Sequence, residues 1–200
     1  MKASLYKRFP ILKDILNLVV FISLVIVGTT IINNFIFRTY NVQGPSMENT
    51  LHTSDRLIVN LIPVTISRFQ NKQYTPERCQ IIVFKNPKYG IMQRDEFIVK
   101  RVVAFGGEKV TLNDGKYTVT NTDHPEGFNP DNCAHSEPKN DTNGKLENLE
   151  VPSNEIFVSG DNRIGNFSYD SRNGLGTIPL DDVIGPVGIR IFPFDKIRGF

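Results

Sequence analysis

The sequence predicts a mainly β fold: an antiparallel sheet, barrel-like or folded on itself, behind one N-terminal transmembrane helix. Three observations carry this. Residues 15–32 read ILNLVVFISLVIVGTTII, an apolar run without a charge. Beyond it, short runs rich in Val, Ile and Phe alternate with turn residues. No long amphipathic helical pattern stands outside the apolar run.

The apolar run comes first in the chain. It is near the minimum length for a membrane span, and Phe35 to Phe37 extend it. It ends in NNFIFRTY, which offers none of the small residues of a signal-peptide cleavage site. Lys2, Lys7, Arg8 and Lys13 precede it against a single acid, Asp14. Such a basic flank stays cytoplasmic. The expected layout is a cytoplasmic tail over 1–14, an anchor over 15–37 and an extracellular domain over 38–200. The chain is then a single-pass protein of the plasma membrane, with the lipid bilayer as a partner. The 200 residues suit one domain plus that anchor, and a net charge of +2 is too small to argue for nucleic acid.

The strand candidates follow in order: Arg56–Leu61, Gln80–Phe84, Glu96–Phe105, Lys109–Leu112, Lys116–Thr120, Glu155–Ser159 and Val187–Phe192. NPKYG, FGG, NDG, SGDN and IGP separate them. Asn113-Asp114-Gly115 reads as a hairpin turn. Residues 121–150 are polar, with only Phe128, Leu146 and Leu149 as larger apolar side chains. They read as an exposed insertion, part of a variable cap over about 113–150. Cys79 and Cys133 lie where a disulfide is permitted, but two cysteines do not decide pairing.

One stretch past the anchor raises a chemical question. GPSMENTL, residues 44–51, sets Ser46 on a Gly-Pro turn. Loop composition accounts for such a serine, which is a weak nucleophile until a base activates it. The residue that could serve is Lys100. In a period of two, Ile98, Lys100, Val102 and Ala104 share one face of a strand, and Phe97, Val99, Arg101, Val103 and Phe105 the other. A lysine on an edge strand can snorkel to water, the ordinary account. Burial among apolar groups would instead disfavour the ammonium. Lowering a lysine from ~10.4 by roughly 2–3 requires about 3–4 kcal/mol. A neutral amine can then take the serine proton.

No better base is visible. His52, His124 and His135 read as surface residues, and Cys133 with His135 is too few for a metal site, so no metal or cofactor is expected. Ser136–Lys139 fits a Ser-x-x-Lys pattern, but the companion SDN and KTG triplets are missing. In SGDNRIGNFSYDSRNGLG, residues 159–176, Ser168, Asp170 and Arg172 alternate, so an extended backbone puts them on one side.

Taken in order, the anchor, GPSMENTL, SDRLIVN, RCQIIVFKNP, FIVKRVVAFGGEKV and GDNR followed by SYDSR resemble a type I signal peptidase of the Gram-positive kind. The resemblance covers most of the chain except about 113–150. It implies an antiparallel β architecture with a β-rich cap, and a membrane-bound serine endopeptidase without a cofactor. Ser46 takes the place of the nucleophile and Lys100 of the general base. Ser168 matches a serine that orients the lysine amine. Asp170 and Arg172 match a supporting pair, with Arg101 joining them. Val42, Met47, Leu51, Ile98 and Val99 match positions lining pockets for small residues, and a substrate strand would add near Gln43 or Ile98. The implied partners are secreted preproteins with signal peptides, pilin-like clients among them.

The chain also departs from the family pattern. Asn49 stands for a usual Pro, Cys79-Gln80 for a usual Gly-Asp, and Leu175 for a common aromatic. Ile164–Phe167 lengthens a loop that usually holds two residues. Gly44 occupies a position where some relatives carry a hydroxyl. Two other readings are a signal-peptidase-like accessory protein that binds surface-fibre clients without cutting, and a self-cleaving repressor. The latter needs a DNA-binding domain where this chain has a membrane span.

Overall fold

The computed structural model describes residues 10–90, 96–132, 142 and 144–200. Helix α1 (Pro10–Ile31) runs on into a π-helical turn, Ile32–Ile36. At about 1.5 Å per residue, α1 alone is ~33 Å long, enough for a bilayer's hydrocarbon core. Its apolar side chains are exposed along its length, as a lipid-facing helix requires. Its hydroxyls turn back onto the helix: Ser23 Oγ donates to the Val19 carbonyl at 2.8 Å and Thr30 Oγ1 to Ile26 at 2.7 Å. These hydroxyls are thereby satisfied without water.

The chain passes from the π turn straight into β1 (Phe37–Asn41), which pairs with β2 (Arg56–Asn60). The next strands are β3 (Ile81–Lys85), β4 (Phe97–Phe105), β5 (Lys109–Asn113), β6 (Lys116–Thr120), β7 (Leu146–Glu150), β8 (Glu155–Ser159), β9 (Ile178–Pro179), β10 (Val183–Phe192) and β11 (Arg198–Gly199). The main sheet is antiparallel, in the order β1-β2-β10-β3-β4-β8-β9, with β11 beside β10. A second sheet, β6-β5-β7, forms the cap.

β10 binds the main sheet together. Its first part, Val183–Pro186, pairs with β3, and Val187–Phe192 pairs with β2. The strand changes partner across register shifts, where a ladder bends. Gly185 permits the close approach: a Cβ there would fall 2.3 Å from the Asn60 carbonyl oxygen.

Three apolar clusters fill the fold. One joins Met47, Leu51, Leu57, Val59 and Val187 between β2, β10 and the turn after β1. A second gathers Ile82, Phe84, Val102, Ile156 and Leu175. The third, around Val110, Leu112, Tyr117 and Phe157, holds the cap on the main sheet, and Phe128, Leu146 and Leu149 pack against it. Those three are the larger apolar residues of the polar insertion, and they attach its described parts to the cap. Tyr117 is almost fully buried, and burial pushes its phenol up to about 12, against the nearby Arg163.

The strands fall close to their expected positions, with three differences. Helix α2 (Ile62–Phe69) and strand β7 were not legible in local composition. β1 begins at Phe37, the expected last residue of the anchor. The two-residue alternation of β4 holds only to Val102. A bulge follows, so Val103 and Ala104 both join the third cluster.

Candidate active site

Ser46 and Lys100 come together at the junction of the two parts of the main sheet. Ser46 lies on the turn that leaves β1, and Lys100 on β4. Lys100 Nζ is hydrogen-bonded to Ser46 Oγ at 2.8 Å and donates to the Val99 carbonyl at 2.8 Å. The lysine is 3% exposed, and its register partner across the ladder is the fully buried Ile82. The snorkelling alternative is therefore not what this side chain does: its amine points to a serine inside the protein. The amine is thus held between a hydroxyl and a backbone carbonyl.

The Ser46 turn is pinned from two sides. Asn162 donates its backbone N–H to the Ser46 carbonyl (3.1 Å) and its Nδ2 to the Pro45 carbonyl (3.1 Å). Farther along, Arg190 Nη1 donates to the Thr50 carbonyl (3.1 Å) and to Asp55 Oδ2 (2.9 Å). Gly160 completes the fit. A Cβ on it would lie 2.2 Å from Ser168 Oγ and 2.3 Å from the Ser46 carbonyl oxygen. Only a residue without a side chain lets these two segments meet.

Buried ion pairs support the lysine strand. Arg101, next to Lys100, donates from Nε to Asp161 Oδ1 (2.8 Å), from Nη2 to Asp161 Oδ2 (2.5 Å) and from Nη1 to the Cys79 carbonyl (2.7 Å). Thr50 Oγ1 donates to the same Asp161. Asp161 thus ties the serine turn to the lysine strand through one carboxylate. Arg163 is fully buried, paired with Asp131 and stacked on Tyr117. Burial works against its charge, but the Asp131 carboxylate more than offsets this and holds its pKa above the usual guanidinium value.

A groove of about 440 Å³ opens in front of the pair. One wall runs from Tyr40 to Ser46 and the other from Glu96 to Lys100, with Phe167 and Tyr169 at the end. β4 pairs with β3 along Phe97–Arg101, whereas its pairing with β8 begins only at Arg101. Beside the groove, β8 thus does not pair with the edge of β4 over Phe97–Val99.

Comparison with known proteins now decides the family. The family model "Signal peptidase, peptidase S26" matches residues 13–192. The chain belongs to this family. It is 32% identical over 178 residues to signal peptidase I of Bacillus amyloliquefaciens, covering 88% of each chain. It is 30% identical over 190 residues to signal peptidase I S of Bacillus subtilis strain 168, covering 93% of this chain and 94% of that one. A crystal structure of a signal peptidase I from Enterococcus faecalis aligns at 24% identity with a TM-score of 0.41, over 56% of this chain and 96% of that one.

Against this signal peptidase frame, each expected residue has a definite place. Val42, Gln43, Gly44, Ile98 and Val99 line the groove. Met47 and Leu51 do not reach its surface; fully buried, they belong to the core beneath it, because the turn after Ser46 rolls inward. Asp170 accepts from Arg172 Nη2 at 3.5 Å and, more closely, from the Gly160 N–H at 3.0 Å. Arg101 pairs with Asp161, not with Asp170. Ser168 is fully buried, and its Oγ has no hydrogen-bond partner among the described residues.

Sequence reasoning passed over Gly160, Asp161, Asn162 and Asp55 as individuals. The signal for the first three was their clustering in GDNR, which reads as ordinary loop until its partners are known. The expected departures resolve in part. Leu175 is buried in the second cluster, and the longer loop places exposed Phe167 on the groove. Cys79 is disulfide-bonded. Cys133, His135 and Ser136–Lys139 lie outside the described residues, and no group that could hold a metal ion stands among the described residues.

Proposed function

We propose that this chain is a membrane-anchored serine endopeptidase that removes signal peptides from exported preproteins by cutting after small residues. The observation that carries this is the 2.8 Å contact between a buried lysine amine and the Ser46 hydroxyl at the end of a groove bounded by a strand edge. Its alignment with signal peptidase I over nearly the whole chain supports the substrate class.

An extended peptide can add to the groove-side edge of β4, with main-chain hydrogen bonds setting its register. Val42, Ile98 and Val99 give the groove branched apolar walls, which suit an alanine-sized side chain. Ser46 Oγ attacks the carbonyl carbon while its proton passes to Lys100 Nζ. The Val99 carbonyl holds the amine so that its lone pair faces the hydroxyl. The Ser46 backbone N–H is the candidate donor to the developing oxyanion. Collapse expels the new N-terminal amine, which takes the proton from Lys100. Lys100 then accepts a proton from the water that attacks the acyl ester and returns it to Ser46 Oγ as the carboxyl product leaves.

Asp161, Arg101, Asp170 and Arg172 fix the frame, and Ser168 would position Lys100 only by turning its Oγ, unpartnered here, toward the amine. The basic flank before α1 supports a cytoplasmic N-terminus, with the site outside the cell. The intact pair counts against a binding protein that does not cut. The test is cleavage of a purified secretory preprotein by the detergent-solubilised chain, beside Ser46→Ala. The expected result is one cut after a small residue, absent in the variant. Failure to cut several preproteins and a pilin-like client would overturn the reading.

A further inference from the structure

We propose that α2 is a second membrane contact, in which Ile62, Ile66 and Phe69 lie in the lipid–water interface beside the exit of the span. The proposal goes beyond the peptidase reading and rests only on α1 crossing the bilayer. α2 has two apolar faces. Val64 points into the protein and is buried. Ile62, Ile66 and Phe69, spaced four and three residues apart, share the opposite face at 43%, 49% and 78% exposure. The core does not use this outer stripe.

Its place identifies what covers it. Thr65 Oγ1 donates to the Phe35 carbonyl at 3.0 Å, and the Leu61 N–H to the Ile36 carbonyl at 2.9 Å. α2 is therefore bonded to the last turn of the apolar segment, whose Phe35, Ile36 and Phe37 are themselves exposed. Hydrocarbon that surrounds the end of the span also reaches this helix. Arg68 stands just before Phe69 and Lys72 just after the helix, both exposed. Cations beside apolar side chains suit the level of lipid phosphates. Three side chains offer far less than the ~800 Å² per partner of a stable protein interface, which argues against a second copy.

The chain contains no tryptophan, so one introduced residue reports alone. Phe69→Trp is compared with Phe194→Trp, equally exposed at 78% but just past Phe192, which pairs with Arg56 at the opposite end of β2. Phe21→Trp marks the span. Each full-length variant is reconstituted into phosphatidylcholine–phosphatidylglycerol vesicles with or without lipids brominated near the headgroup. The expected result is blue-shifted Phe69→Trp emission, quenched severalfold more than that of Phe194→Trp. Quenching no greater than at Phe194→Trp, while Phe21→Trp is quenched, overturns the proposal. A blue shift without bromolipid quenching that disappears on dilution overturns it in favour of a second copy. If Phe21→Trp itself escapes quenching, the span fails and the proposal with it, while the peptidase reading stands.

Discussion

Gly160→Ala adds one methyl group at the tightest point of the site. That Cβ would lie 2.3 Å from the Ser46 carbonyl oxygen, where ordinary contacts begin at 3.4 Å. The carbonyl would have to retreat by about 1 Å, and it belongs to Ser46, the proposed nucleophile. A displacement of ~1 Å at a reacting centre costs on the order of 100-fold, which is about 2.7 kcal/mol in the barrier. The same carbonyl receives the Asn162 N–H, so the bond that pins the turn is lost as well. The assay is single-turnover cleavage of a preprotein under saturating enzyme, with thermal unfolding of the same sample to show that the domain is folded. Removing the Ser168 side chain in the same background, as Gly160→Ala with Ser168→Gly, relieves the 2.2 Å contact with Oγ but not the one with Ser46. The double variant should therefore remain slow. A folded Gly160→Ala variant within roughly threefold of the parent rate, under ~1 kcal/mol, would refute the reasoning.

Other perturbations separate stability from chemistry. Asp161→Asn leaves the buried Arg101 guanidinium without its counter-charge; breaking such a pair costs about 3–5 kcal/mol, read as a lowered unfolding midpoint, and an unchanged midpoint would count against Asp161 as the central tie. Lys100→Ala should lower the acylation rate by about 10²–10⁴-fold with little change in fold, as expected for loss of a general base; near-parent activity would remove Lys100 from the mechanism. Cleavage should also slow toward acidic pH, because only the neutral amine accepts the Ser46 proton, and a flat profile with chemistry rate-limiting would exclude that role. Tyr117 gives an alkaline signature. Its folded pKa of about 12 exceeds the ordinary phenol value of 10.0, so the folded state retains the proton longer and stability falls as pH rises from about 10 to about 12. Tyr117→Phe should flatten that part of the curve in denaturant titrations, and an unchanged slope would assign it elsewhere.

The chemistry was more legible in the sequence than the scaffold that holds it. Lys100 stood out because a charge inside VKRVVAF contradicts its apolar surroundings; the strand alone still allowed a snorkelling lysine, and the resemblance singled it out. Asp161 gave no such signal. In a loop of Gly, Asn, Asp and Arg an acid looks solvated, and only the fold brings Arg101 and Thr50 onto it. Met47 and Leu51 show the reverse difficulty. The resemblance put both among the pocket-lining positions, but the turn directs both into the core. α2 escaped notice because IPVTISRF mixes β-branched residues with proline, weak helix formers held here by Val64 and the end of the span. The bulge in β4 depends on its pairing with β8, which no local pattern contains.

The direct passage from anchor to β1 works as a ruler. Ser46 lies ten residues beyond Ile36, the last residue of the π turn. A fully extended chain covers at most ~3.5 Å per residue, so the serine stays within about 35 Å of the end of the span. Five of those residues are committed to a paired strand, so the tether cannot stretch toward a distant target. With the apolar helix in a bilayer, this leash would set the height at which Ser46 works. A site held at that height would reach a bond near the end of a span before one carried farther out on a folded domain.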